Sequence, residues 1–362
     1  MRRAIIHLGL PRTGTTSVQR VLTRLRPELA HAGILYPALT PRSAAEPHLS
    51  HQHLGETLDG RRPREERVEL LDNLSGQLGG SDADAVLISY EHLCLVPPRR
   101  GIATLLAGFF RRHGFAMEIL ATIKPQAEFL NSTYTWRTQF LREKRAFVDF
   151  ANAEMGHRTL DYAALFEPWR RVCDGRMTVL ALRDPRSDQG LLARFLDAAG
   201  LDRARRLLTA EDLGLVENRS PGPVAVEVCR RLRAQGAQRR LSGRGREVTR
   251  FVEEACRQRG LDAVSFKGVD AGHRERIEAR WNASNTRLAA VAWGEAWSAR
   301  VARAPEAEIN ELARTRDPAG LHEADAVHSA TCERFGLALE GGLFGFNPRR
   351  LFGRGTIAHA GR

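Results

Sequence analysis

The sequence predicts an α/β protein: an open parallel sheet flanked by helices, followed by a mostly helical C-terminal half. Three observations carry that expectation. Short runs of branched apolar residues occur at the start of the chain and near residues 85, 117 and 177, with helical patterns between them. Their apolar positions are consecutive rather than alternating, as suits parallel strands covered on both faces and joined by right-handed crossovers. Beyond about residue 185 such runs stop and long amphipathic patterns take over.

The first run, AIIHL at 4–8, leads into a loop bracketed by Gly9 and Gly14. Val18, Val21, Leu22 and Leu25 then recur at helical spacing, with Gln19, Arg20, Arg24 and Arg26 between them. A strand, glycine-bounded loop and helix in this order aim free backbone amides and the positive end of the helix dipole at one point, which attracts phosphate or sulfate. The glycines have the separation of the nucleotide-triphosphatase loop G-x-x-x-x-G-K-[ST]. Thr15, however, stands where that loop has its lysine, and the cation is Arg12, inside the loop.

Pro27 to Gly33 forms a short helical turn, and ILYP at 34–37 a small strand. From 37 to 83 the chain is polar and reads as a surface excursion, interrupted by the amphipathic ERVELLDNL at 66–74. AVLISYE at 85–91 and MEILATIK at 117–124 are strands, with a helix between them stopped by Gly114. MTVLALRD at 177–184 is one more strand. GLLARFLDAAGL, PVAVEVCRRLRAQG, VTRFVEEACRQRG and the long stretch from 274 to 301 are helices. The chain thus divides into an α/β core at 1–215, a helical region at 216–340 and a Gly/Arg-rich tail at 341–362. No period of 20 to 50 residues marks a solenoid.

A chain of 362 residues buries a sizeable core as one large or two modest domains. Its formal charge of +12 comes from arginine far more than lysine and favours anionic ligands. No zinc-finger, RNA-recognition or basic-zipper pattern accompanies it, so no specific nucleic-acid partner is expected. The five cysteines, at 94, 173, 229, 256 and 332, show neither C-x-x-C nor zinc spacing and read as reduced core thiols. No apolar run has the length of a signal peptide or membrane span, and a cytoplasmic location is expected.

Pro11-Arg12-Thr13-Gly14-Thr15-Thr16, following an apolar strand, resembles the 5′-phosphosulfate loop of sulfotransferases, of the bacterial carbohydrate type. The resemblance implies a P-loop-type fold, 3′-phosphoadenosine 5′-phosphosulfate as donor, and these six residues as its binders. Lys124 at the carboxyl end of MEILATIK and Ser132, eight positions on, resemble the basic residue and serine that meet the donor's 3′-phosphate. Lysine stands where the family usually has arginine, keeping the charge but losing the planar fork. Ile34-Leu35-Tyr36-Pro37, Ser132-x-Tyr134, Phe166-Glu167-Pro168-Trp169 and Ser284-Asn285 are further similar segments, so the likeness runs from residue 4 to about 300, with 37–83 poorly matched. The late arginine-lysine-glycine loop of the cytosolic small-molecule enzymes is not recognised. SGRGR at 242–246 and FGRG at 352–355 are the candidate substitutes.

The implied reaction is attack of an acceptor hydroxyl or amine on the donor sulfur, the acceptor being a glycan, a lipid-linked sugar or a related metabolite. Arg12 stands where the family usually has lysine; arginine keeps its proton and stabilises charge without acting as an acid. Glu91, closing the AVLISYE strand, is the first candidate general base, and His48, His51 and His53 are its rivals. His7 reads as a strand residue below the loop. The chemistry requires no metal. Two other readings stay open, a nucleotide kinase-like enzyme and a non-catalytic nucleotide- or anion-binding protein. Acceptor selectivity is expected in the 37–83 excursion and the helical half.

Overall fold

The computed structural model describes residues 2–97, 100–215, 220–241 and 243–337. Five strands, β1 (Arg2–His7), β2 (Ile34–Leu35), β3 (Ala85–Ser89), β4 (Phe115–Ile123) and β5 (Met177–Ala181), form one parallel sheet in the order β2-β3-β1-β4-β5. The predicted open parallel sheet with flanking helices is the observed fold. Among the described residues no strand follows Ala181.

Alternation along β1 sorts the core into two layers. Ile5 joins Leu87, Leu120 and Leu180 against the helices Thr15–Arg24 and Leu191–Ala198. Ala4 and Ile6 face the other way, with Ile88 and Ile119, onto a larger core built with the helices Ile102–Arg112, Gln126–Gln139 and Tyr162–Val172. A third cluster, with Val228, Leu232, Val248, Val252 and Val327, holds together the helices Pro223–Ala234, Gly245–Gln258 and Pro318–Phe335. All five cysteines are free and buried.

The stretch from 37 to 83 contributes more than surface. It holds the helices Gln52–Leu58 and Arg64–Gly79, whose Leu54, Leu58, Leu70, Leu74 and Leu78 enter the larger core. Several strand ends also fall short of the sequence reading, β5 among them, which stops at Ala181. β3 stops at Ser89, and Glu91 opens a single-turn 3₁₀ segment, Glu91–Leu95. β4 stops at Ile123 because Pro125, with no N–H to extend the ladder, starts the helix Gln126–Gln139 and leaves Lys124 at the bend.

The order of the sheet decides where a ligand fits. β1 is central, and the chain leaves it first toward β2 and β3 on one side, then toward β4 and β5 on the other. Connections diverging from a central strand open a crevice at its carboxyl end, where the loop of residues 9–14 sits. Among the described residues no helix is long and apolar enough to cross a membrane.

Candidate functional site

The loop is shaped by close approach to β4. Beyond β1, Leu8 and Leu10 still donate their N–H groups to the carbonyls of Leu120 and Thr122, at 2.9 Å each. A Cβ on Gly9 would lie 2.1 Å from Thr122 Oγ1, so only glycine lets the backbone pass there. Gly14, at φ 80°, caps the helix Thr15–Arg24, which has neither a side-chain cap nor an acid in its first turn. Its N-terminal amides therefore keep their attraction for an anion.

Within the loop, Thr13 turns its hydroxyl inward, donating to the Leu10 carbonyl at 2.6 Å and lying 2.9 Å from Thr122 Oγ1. Pro11, Arg12, Gly14, Thr15 and Thr16 border the cleft. Arg12 adopts φ 66°, a left-handed conformation that costs a non-glycine residue about 1–3 kcal/mol. Its guanidinium reaches Ser220 Oγ at 3.4 Å; burial lowers its pKa and Glu253 acts to raise it.

The Lys124–Ser132 pair closes against this loop. Lys124, 4% exposed, donates from Nζ to the Arg12 carbonyl at 2.7 Å and to Ser132 Oγ at 2.5 Å. Ser132 passes its own hydrogen to the Glu128 carbonyl one turn back, at 2.6 Å. Asn285 exchanges two amide hydrogen bonds with Gln126, at 2.6 and 3.2 Å, and so pins the start of the helix that carries Ser132. Tyr162 holds the Lys124 carbonyl at 3.0 Å. Burial, then Arg12, Arg183 and Lys267, push the Lys124 ammonium well below the usual lysine range. A compact ammonium suits this narrow position between a carbonyl and a hydroxyl, where a planar guanidinium is bulkier.

Arg12 and Lys124 open into one cleft of about 890 Å³, within the size range of pockets that hold small molecules and cofactors. Its far wall comes from the helical half, through Arg246 and Arg250 on the helix Gly245–Gln258 and through Lys267. Sequence reading missed Lys267. The segment carrying it is clamped from both sides: Asn131 bonds the Phe266 carbonyl and the Gly268 N–H, at 3.0 and 2.9 Å, and Asn310 bonds both backbone groups of Lys267, at 2.7 and 3.0 Å. A Cβ on Gly268 would meet the Phe147 ring at 2.3 Å. Of the substitutes, Arg246 from SGRGR does border the cleft, Ser242 lies outside the described residues, and so do FGRG and the whole 341–362 tail.

A legible signal did exist. The chain has three lysines among 55 basic residues, and two of them, Lys124 and Lys267, line this cleft.

Glu91 borders the cleft and accepts from Gln19 Nε2 at 2.9 Å. Next to it is His92, also unrecognised in the sequence, with its ring centroid 6.5 Å from that of Trp136. Burial lowers the His92 pKa, opposed by Glu91, so the imidazole is neutral at neutral pH and able to take a proton. The three rival histidines do not border the cleft. His51 has both ring nitrogens bonded to the backbone: Nδ1 accepts from the Ser89 N–H at 2.9 Å and Nε2 donates to the Pro37 carbonyl at 3.0 Å. Both nitrogens are committed, and burial lowers the pKa to about 4. His48 Nδ1 is held by Ser50, and both ring nitrogens of His53 are buried. His7 is buried at the end of β1, beneath the loop. Among the described residues no group of three or more His, Cys, Asp or Glu side chains is placed to hold a metal ion.

No family model matches this chain, and no curated protein matches it. Among solved structures it is similar to the crystal structure of a sulfotransferase from Alicyclobacillus acidocaldarius, at 15% identity and a TM-score of 0.40, over 81% of this chain and 96% of that one.

Proposed function

We propose that the cleft transfers a sulfuryl group from 3′-phosphoadenosine 5′-phosphosulfate to a hydroxyl or amine of an acceptor, a glycan or related metabolite. The observation that supports this most is the convergence of the Arg12 loop and the Lys124–Ser132 pair on one cleft, with Glu91 on its wall. The residues present fit an anion at each end of such a donor. Amides of residues 12–16, Arg12 and the Thr15 and Thr16 side chains serve the 5′ end. Lys124 and Ser132, joined by Lys267 and Arg183, serve the 3′-phosphate.

The donor supplies an activated sulfuryl group, whose S–O bond to the 5′-phosphate breaks as the acceptor oxygen or nitrogen bonds to sulfur. Arg12 and the loop amides stabilise charge on the departing phosphate and the sulfuryl oxygens, and they hold the reactants in line. Because arginine keeps its proton, this is charge stabilisation rather than acid catalysis. Glu91 removes the acceptor proton, and His92 beside it is the alternative base.

Thermal unfolding tests the reading. The bisphosphate product, 3′,5′-adenosine bisphosphate, raises Tm without magnesium; at a hundred times Kd the linkage is worth about 2.7 kcal/mol. The glycine spacing of the loop also serves a kinase. Stabilisation by ATP with magnesium and none by the bisphosphate would favour that reading. Bisphosphate binding with no transfer of labelled sulfate to glycan, lipid or peptide acceptors would leave a non-catalytic binder.

A further inference from the structure

A buried chain of hydrogen bonds runs beneath the loop to Glu91, and its directions follow from one end. Thr13 gives its hydroxyl hydrogen to the Leu10 carbonyl, so at 2.9 Å it must accept from Thr122. Thr122 in turn accepts from His7 Nε2, a longer contact at 3.4 Å. With its hydrogen on Nε2, the neutral His7 ring offers Nδ1 as an acceptor, and Ser89 donates to it at 2.8 Å. Ser89 Oγ then accepts from Gln19 Nε2 at 3.0 Å, and the second hydrogen of the same amide goes to Glu91 Oε2 at 2.9 Å. Thr13, Thr122, His7, Ser89 and Gln19 are all between 0 and 3% exposed. Burial lowers the His7 pKa to about 3, which keeps its ring neutral.

We propose that Gln19 is a positioning residue for Glu91, holding its carboxylate turned to the cleft and tying it through Ser89, His7 and Thr122 to the Arg12 loop. The proposal rests on Glu91 being the general base of the proposed reaction. An amide N–H can only donate, and a donated hydrogen bond favours the charged carboxylate. Among the described residues, Gln19 is the one hydrogen-bond donor to that carboxylate. Gln19 lies on the helix whose first turn opens at the loop, so one rigid element carries both the anion-binding amides and the hand on the base. Other titratable groups face Glu91: Tyr90, His92 and Cys94 from its own segment, and Tyr36 and His48 from the stretch before β3. Arg61 and Glu56 act on His92 and Tyr90 nearby. None of these is a hydrogen-bond donor to the Glu91 carboxylate among the described residues.

The test uses the full chain with Gln19→Met, similar in length but without either donor, and Gln19→Glu, isosteric but anionic. Transfer kinetics across pH, bisphosphate affinity and the Glu91 carboxyl titration by carbon NMR are measured for each. Gln19→Met is expected to lower kcat at least about tenfold while leaving the bisphosphate Kd within about twofold. The acid limb of the rate profile and the NMR midpoint of Glu91 should both rise by about half a pH unit or more, and further in Gln19→Glu, where two carboxylates repel. Loss of kcat with an unmoved midpoint would mean that Gln19 only packs, and overturns the proposal. If the unaltered protein transfers sulfate to no acceptor, that failure belongs to the proposed function. The Glu91 midpoint still decides on Gln19: a rise upholds its hold on the carboxylate, and no rise removes it.

Discussion

Binding of a phosphate dianion beside Lys124 should draw a proton from solution. In the free protein this ammonium is 4% exposed and crowded by Arg12, Arg183 and Lys267, so its pKa lies well below the ordinary lysine value. A bound phosphate supplies the missing countercharge and restores the protonated form. Between the depressed value and the value in the complex, each bisphosphate captures one proton. Affinity therefore falls as pH rises across that window, by up to about tenfold per unit. For folding the sign is opposite. In the same window the unfolded lysine holds more protons than the folded one, so the stability of the free protein rises with pH. Calorimetry stepped upward from about pH 7, where a phosphate with its second pKa near about 6 is already dianionic, reads the uptake from the dependence of heat on buffer ionisation enthalpy. Lys124→Met should abolish the uptake and cost about 2–5 kcal/mol of binding, roughly 30- to 5,000-fold in Kd. Proton uptake that is absent in the unaltered protein, or that survives in Lys124→Met, refutes this account of the second anchor.

Three other substitutions probe the loop and its support. Gly9→Ala forces a methyl against Thr122 and should destabilise the fold by about 1–3 kcal/mol in urea titrations, with loss of bisphosphate binding. Arg12→Gly relieves the left-handed strain and should raise stability by about 1 kcal/mol, while removing the cation lowers kcat by about 10²–10³; equal kcat would exclude Arg12 from charge stabilisation. His51→Leu leaves the buried Ser89 N–H without its side-chain acceptor and should cost about 1–3 kcal/mol in chemical denaturation. In that variant the pH limbs of whatever transfer remains should stay in place, since both His51 ring nitrogens are committed to Ser89 and Pro37.

The sheet was legible because strands buried on both faces write themselves as unbroken apolar runs, and the loop because its two glycines, with a cation between them, stand at a readable spacing after the first strand. The rest of the site depends on long-range packing that periodicity does not encode. Gln19 sits between apolar residues of an amphipathic helix and reads as part of its polar face, yet the end of β3 and Glu91 cover it to 3% exposure. Lys267 reaches the cleft only because Asn131 and Asn310, distant in sequence, clamp its backbone. The 37–83 stretch looks polar overall because the leucines of its two helices are diluted by charged outer faces. His48, His51 and His53 form a visible cluster in the sequence, whereas the single His92, beside the candidate base, has no pattern to mark it.

His51 exchanges hydrogen bonds with Ser89 in both directions, ring to amide and amide to carbonyl, at 2.9 and 2.8 Å, so it behaves as one extra rung of the sheet at the point where β3 hands the chain to Glu91. The 37–83 stretch is thus stapled to the end of β3, two residues before Glu91. Lengthening or trading that stretch would disturb the peptide group from which the chain turns to Glu91. Retargeting by loop exchange should succeed only with grafts that keep this histidine and its two-way grip.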